Sequence, residues 1–380
     1  MSARPRLHSI PPGANFLETL ARAVLDGRLV PGAPASADPL ALAATTIYVP
    51  TRRAARALRE AFVELSRVPA AILPTIRPLG EFDEDAAAFE PLGPALPELA
   101  PPVASLDRLL LLAPLIQRWK QRLPAHIRSR FDEDVVVPAS AADAVWLARD
   151  LAALIDEMET EGADWGRLAG LVDAELAGWW QVTLDFLAIV TEHFPAALAA
   201  IGRSSPGAHR SALIDAETER LKRNPPAGPV IAAGSTGSIP ATARLLSVIA
   251  RLPRGAVVLP GLDPALDERS WRELAAEKPH PSACGHPQFG LRKLLGTIGA
   301  DRAEVNAVGA VAPALTARAR LVAEALRPAE TTDMWAASRG LAGDLVAQGA
   351  LAEMALVEAG SEREEALAVA VALRLAVGEG

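Results

Sequence analysis

Pro229-Val-Ile-Ala-Ala-Gly-Ser-Thr-Gly-Ser-Ile-Pro-Ala-Thr-Ala-Arg-Leu-Leu246, followed by Ala256-Val-Val-Leu-Pro-Gly-Leu-Asp263, reads as strand, glycine-rich loop, helix, strand. That order is the βαβ grammar of a parallel nucleotide-binding sheet. The first of these strands ends in Ala232-Ala233-Gly234, where a nucleoside triphosphatase carries a magnesium-holding acid. The frame of an ATPase is present and its chemistry is missing at this point.

The same grammar extends outward. Leu7 to Ile10 forms a strand candidate, Pro11-Pro12-Gly13 a turn, and Asn15 an N-cap for a helix with Phe16, Leu17, Leu20, Val24 and Leu25 on one face. Thr45 to Pro50 is a second strand. Thr51 then caps a helix whose apolar face is Ala55, Leu58, Phe62 and Leu65. Ile72 to Ile76 reads as a third strand, and the proline-rich residues 90–103 as a linker. From Ser105 to Arg223 the pattern turns helical, with one stripe at Leu147, Ala148, Leu151, Leu154, Ile155 and Met158 and another at Leu176, Trp180, Leu184, Leu187 and Thr191. Met354 to Glu358 reads as a last strand, with Ser361 capping a helix over 362–377. The expected fold is α/β, a P-loop-NTPase-like parallel sheet with a helical insertion. Residues 1–103 and 226–340 are its two parts, 104–225 the insertion, and 350–380 the start of a second, truncated α/β domain.

Bulk properties narrow the function classes. The 380 residues are half hydrophobic and 22% charged, enough to bury a core. A net charge of −8 gives no global attraction to nucleic acid, so any such contact needs a local basic patch. The single cysteine, Cys284, excludes an intrachain disulfide and a four-cysteine metal site. The first residues lack a signal-peptide apolar core, and the longest apolar run, Leu109 to Ile116, is too short to cross a bilayer. A cytoplasmic protein without membrane contact is the expectation.

Several residue groups invite a chemical reading. A P-loop needs glycines around phosphate, a lysine and a Ser/Thr for magnesium. The Ile10-Pro-Pro-Gly-Ala-Asn-Phe16 turn has one glycine, and no lysine precedes Lys120, so it reads as an ordinary strand-to-helix turn. Gly234, Ser235, Thr236, Gly237 and Ser238 form either an anion-binding nest before the helix that Pro240 starts or a tight turn. Asp263 is a metal ligand or a turn residue before Pro264. Arg52, Arg56 and Arg59 fall near one face of the helix that Thr51 caps, at a helix start where arginines hold nucleic-acid phosphates, with a solvated face and an Arg56–Glu60 pair as the alternative. The acidic groups at 81–85 and 132–134 read as solvated turns. His280, Cys284 and His286 have loosely metal-like spacing without a fourth ligand and read as a loop. Trp179 and Trp180 suit either base stacking or a helix core.

Certain motifs together resemble a known family. They are Ile10-Pro-Pro-Gly13, the run from Tyr48-Val-Pro-Thr-Arg-Arg to Phe62, Ile76-Arg-Pro-Leu-Gly80, the run from Gly228 to Thr242, His286-Pro-Gln-Phe-Gly290 and Glu362-Arg-Glu-Glu-Ala366. The chain resembles the N-terminal part of AddB, a subunit of the AddAB helicase–nuclease, in its alphaproteobacterial form. The resemblance spans nearly the whole chain. It implies a superfamily-1-helicase-like domain, resection of DNA ends in double-strand break repair by homologous recombination, and an AddA-like helicase–nuclease partner. It implies that Thr51 to Arg53 face single-stranded DNA, with Arg52, Arg53 or Arg56 as the contacts. It also implies an iron–sulfur cluster and magnesium in a C-terminal nuclease domain that this segment does not include. Some AddB relatives keep a P-loop; this sequence departs at Pro11 to Asn15 and at Ala232-Ala233.

Overall fold

The structure, a computed structural model, describes residues 4–32, 42–66, 72–79, 99–122, 140–170, 177–275 and 280–378. Six short segments pair into one sheet: β1 (Leu7–Ile10), β2 (Thr46–Val49), β3 (Thr75–Pro78), β4 (Val230–Ala233), β5 (Gly255–Pro260) and β6 (Asn306–Ala307). Every neighbour pair is parallel, in the order β3-β2-β4-β5-β1-β6. The central strands β1, β4 and β5 are buried along almost their whole length, which is why β4 and β5 read as continuous apolar runs, while β1 also buries the polar His8 and Ser9. The sequence expectation for the third strand was Ile72 to Ile76; the ladder starts three residues later. Thr46 pairs with Thr75 and Ile47 with Ile76, so Ile76 enters the core and Ile72 is exposed. Pro78 is tolerated because β3 is an edge strand.

Side chains alternate across the strands and build two cores. Ile10, Ile47, Val49, Ile76, Ile231, Ala233, Ala256 and Val258 face α1 (Phe16–Leu25) and α2 (Arg52–Leu65). Leu7, Tyr48, Val230, Ala232, Val257 and Leu259 face the other way. The split follows from right-handed crossovers: connections that step toward β3 lie on one face, and those that step toward β6 on the other.

Between β3 and β4 the described chain is helical: α3 (Ser105–Arg122), α4 (Ala141–Glu161), α5 (Ala177–Ala188), α6 (Phe194–Ala200) and α7 (Pro206–Arg223). Leu112, Ile116, Ala144, Ala148, Leu151, Ile155 and Phe194 form a separate core there. The buried line on α4 runs through Ala144, Ala148, Leu151, Ala152 and Ile155, and Leu154 is exposed. Thr191 of the second predicted stripe is also exposed. A π turn at Ile189–His193 adds one residue to the helix and rotates Val190 and Phe194 inward instead. Leu176 and the acidic groups at 81–85 and 132–134 lie outside the described residues, as do the side chains of Trp179 and Trp180.

Helix α7 joins the two bodies. Ile214 and Leu221 enter the sheet core beside α8 (Pro240–Ile249). The Tyr48 hydroxyl donates to the buried Glu217 carboxylate. Arg220 donates to both oxygens of Glu217 at 2.6 and 2.8 Å, and Arg77 lies 3.6 Å away. A buried carboxylate is tolerable only with such partners. Burial, then the neighbouring Glu217 charge, push the Tyr48 phenol well above its usual range.

After β5 come α9 (Glu268–Glu273), the short α10 (Pro281–Cys284) and α11 (Phe289–Ile298), which with α7 and α8 covers the second face. Beyond β6 lie α12 (Pro313–Ala325), α13 (Trp335–Ala347) and α14 (Glu362–Gly378). Residues 354–358, expected as a strand, pair with no strand among the described residues. Helix α14 forms as expected, but none of its residues is buried.

Candidate nucleic-acid and anion site at the sheet edge

Parallel strands place all their following loops on one edge, and ligands of such sheets bind there, where strand order reverses. One reversal falls between β2 and β4. The chain leaves β2 toward β3 and leaves β4 toward β5. The two predicted sites, Thr51 to Arg56 and Gly234 to Ser238, are the loops of these two adjacent strands. A Cβ placed on Gly234 would stand 3.5 Å from Pro50 Cδ, the residue before Thr51. Far apart in sequence, the two groups share one edge.

Thr51 is extended, and its hydroxyl accepts from Ala54 N–H at 3.1 Å, a standard N-cap. The first turn of α2 holds no acid and carries Arg52 and Arg53, both exposed. Cations at the positive end of a helix are disfavoured by its dipole, so this turn is an electropositive point on an acidic protein. Arg53 has no ion-pair partner among the described residues. Arg56 pairs with Glu60 at 3.1 Å, the i,i+4 geometry the spacing allowed, and both remain exposed. Arg59, one turn on, reaches the Ile76 carbonyl at 3.1 Å and ties α2 to β3.

The Gly234 loop has two left-handed glycines, Gly234 at φ 80° and Gly237 at φ 61°. Gly234 N–H donates to the Val258 carbonyl at 3.0 Å, and Gly237 N–H to Ser235 Oγ at 3.2 Å. Side chains close in around them. A Cβ on Gly234 would lie 3.3 Å from the Phe16 ring, and one on Gly237 2.7 Å from Leu294 of α11. Both glycines hold a backbone angle that other residues rarely adopt, and a side chain at either would press on these neighbours. Ser235 and Thr236 are half-buried and Ser238 is exposed.

The turn after β1 is covered as well. Gly13 has φ 87°, and a Cβ there would meet Leu315 of α12 at 3.2 Å. Gly261, after β5, faces Pro12, and its N–H donates to the Ile10 carbonyl at 2.9 Å. Gln288 clamps this corner: Nε2 donates to the Gly261 carbonyl at 2.9 Å, and Oε1 accepts from Asp263 N–H at 3.0 Å. Asp263 Oδ1 accepts from Ala265 and Leu266 N–H, so Asp263 acts as a turn residue. Sequence reasoning placed Phe16 only on the apolar face of its helix and did not single out Gln288, Leu294 or Leu315. Gln288 lies inside the His286-Pro-Gln-Phe-Gly290 motif; Leu294 and Leu315 carry no local signal that marks them.

The metal-like trio does not converge. His280 Nδ1 accepts from Ser282 N–H at 3.2 Å, and His286 Nδ1 accepts from Gln288 N–H at 3.1 Å. Each ring caps a local turn. Burial lowers the pKa of His286. No group of three or more His, Cys, Asp or Glu is placed to hold a metal among the described residues. Cys284 is free and exposed, and one cysteine does not fit a four-cysteine iron–sulfur cluster.

One described helical run, Val182–Ala200, is long and apolar enough to cross a membrane. It contains the π turn, and its Val182, Leu187, Ile189, Val190, Phe194 and Leu198 are buried in the protein. No protein-family model matches the chain, and no curated protein matches it.

Proposed function

We propose that this chain is a helicase-like scaffold without ATPase chemistry of its own, the N-terminal part of an AddB-type subunit. In this reading it works in the cytoplasm with an AddA-like helicase–nuclease and guides a DNA strand during double-strand break repair. The observation that carries the reading is the sheet edge between β2 and β4. There the N-terminus of α2 and its arginines adjoin the Gly234 loop, while Phe16, Leu294 and Leu315 fill space beside the glycine turns. A strand backbone needs exposed cations at such an edge; a nucleotide needs an open phosphate cradle and a lysine. The sequence has no lysine before Lys120 and no acid at the end of β4.

The test is binding to a forked DNA end, with and without the AddA-like subunit, over a salt series. Replacing Arg52, Arg53 and Arg56 together with Ala should weaken binding. It should also lower the salt slope by about one for each phosphate that is no longer neutralised, so by up to about three. An unchanged slope removes these residues from the DNA path. Salt-insensitive absence of DNA binding, with the partner still associating, leaves a structural subunit.

A further inference from the structure

The sheet edge carries one more cation, in neither of the two predicted fragments. Lys293 lies in α11, the helix that follows β5 and its turns. Two contacts seat that helix against the Gly234 loop. A Cβ on Gly290 would stand 3.5 Å from Thr236 Cβ, and one on Gly237 2.7 Å from Leu294 Cδ1. Gly290 and Leu294 are one turn apart and share a face of α11. Helical geometry puts Lys293 about 60° round from Gly290, on the side away from the buried Leu291, Leu295 and Ile298. Lys293 is exposed there.

The Gly234 loop is therefore flanked on two sides. On one it meets Pro50 and the Thr51 turn that carries Arg52 and Arg53; on the other it meets α11 and Lys293. Lys293 has no ion-pair partner among the described residues, whereas the Lys222 ammonium lies 2.7 Å from Glu219. The first turns of α8 and α11 contain no acid, and neither helix is capped by the side chain of its N-cap residue. Gln288, the N-cap of α11, is committed to the Gly261 and Asp263 corner instead. Both helix starts add positive potential beside the lysine, as the start of α2 does beside its arginines. Ser238, exposed in the loop, adds a hydroxyl donor.

We propose that Lys293 is a phosphate contact, and that the bound strand crosses the Gly234 loop from the α2 arginines to α11. This inference deepens the DNA reading of the same edge and rests on it. An ammonium on a flexible stem acts as a point charge. It neutralises a backbone phosphate and positions the strand without reading its bases.

The experiment measures binding of the full chain, with the AddA-like subunit, to forked DNA ends of two tail sequences over a salt series. The variants are Lys293→Ala, Lys293→Arg, Lys222→Ala, and the triple Arg52, Arg53 and Arg56 to Ala with and without Lys293→Ala. Lys293→Ala should weaken binding several-fold, equally on both sequences, and lower the salt slope by about one. Added to the arginine triple, it should lower the slope by about one more. Lys293→Arg should keep the slope. Lys222→Ala removes the same charge at the other edge of the sheet, where α7 leads into β4, and should leave the slope unchanged. Lys293→Ala should keep the melting temperature of the unmodified chain, because the side chain faces solvent. A slope that falls with the arginine triple but not with Lys293→Ala removes Lys293 from the strand path and leaves the DNA reading standing. Equal losses from Lys222→Ala and Lys293→Ala also overturn the contact, because net charge alone would then explain both. Failure of the unmodified complex to bind any fork overturns the DNA reading and this inference together.

Discussion

The β4–α8 unit and the stretch from 354 to 378 have the same grammar and opposite fates. Both are apolar runs followed by a capped helix. Strand β4 lies between β2 and β5 with every residue buried, and α8 buries Ala241, Leu245, Leu246 and Ile249. In the second stretch Leu356 is 87% exposed, and Leu367, Val369, Leu373, Leu375 and Val377 are all exposed. A strand signal is a statement about a sheet, because all of a strand's ladder hydrogen bonds and the burial of both its faces come from neighbours. Where no neighbouring strand is present among the described residues, the same signal yields irregular chain and a bare helix.

The sharpest way to test that contrast is to truncate one apolar side chain in each region. Phe62 on α2 is fully buried against the sheet. Phe62→Ala should cost about 3–5 kcal/mol by lost burial plus cavity. Leu373→Ala should cost within about 0.5 kcal/mol, because its side chain already faces solvent. Chemical denaturation measures both. A large loss from Leu373→Ala would mean that α14 is covered in solution.

Glycines give a second, smaller contrast. Gly228, just before β4, has no room for a side chain: a Cβ would overlap the Ala44 carbonyl oxygen. Gly228→Ala must push two backbone segments apart and should destabilise by about 1–3 kcal/mol or more. Gly340, inside α13, has nothing within 4 Å of the same position. Gly340→Ala should stabilise by up to about 1 kcal/mol, the helix-propensity gain. Thermal melts of the two variants should therefore move in opposite directions; a neutral Gly228→Ala would contradict the packing of residues 42–45 against β4.

The smallest expected effect is a pH dependence confined to the sheet. His8 on β1 is buried, with Nε2 3.1 Å from the Leu29 carbonyl. Burial is the main cause of its lowered pKa. The folded chain thus binds this proton less readily than the unfolded one. Stability from this group is present above the ordinary imidazole value of 6.5 and is lost as pH falls below it toward the folded value. Denaturation midpoints of the native chain should drop more steeply than those of His8→Gln between about pH 6.5 and 5. Parallel curves would show that His8 does not titrate differently on folding.

Local signals were legible because they are local. The N-caps at Asn15 and Thr51, the two strand-to-helix turns and the buried line of α2 need only residues within a few positions. The third strand slipped because an edge strand takes its register from its partner, here Thr46 to Val49. The stripe ending at Thr191 failed because one π turn changes the phase of a helix, and no residue type announces it. The candidate site was legible as two separate fragments, Thr51 to Arg56 and Gly234 to Ser238, with their own turn chemistry.

The sequence by itself determined that this chain builds a parallel α/β frame with helices between β3 and β4, and that its first turn lacks P-loop residues. Those properties follow from apolar period, capping residues and the absence of particular side chains. Only the tertiary structure decided that the two fragments meet at one sheet edge, that Phe16, Leu294 and Leu315 pack against its glycine turns, and that Glu217 joins α7 to β2. Strand order and side-chain packing bring together residues more than 150 positions apart, and their proximity is a property of the folded sheet that no local pattern encodes.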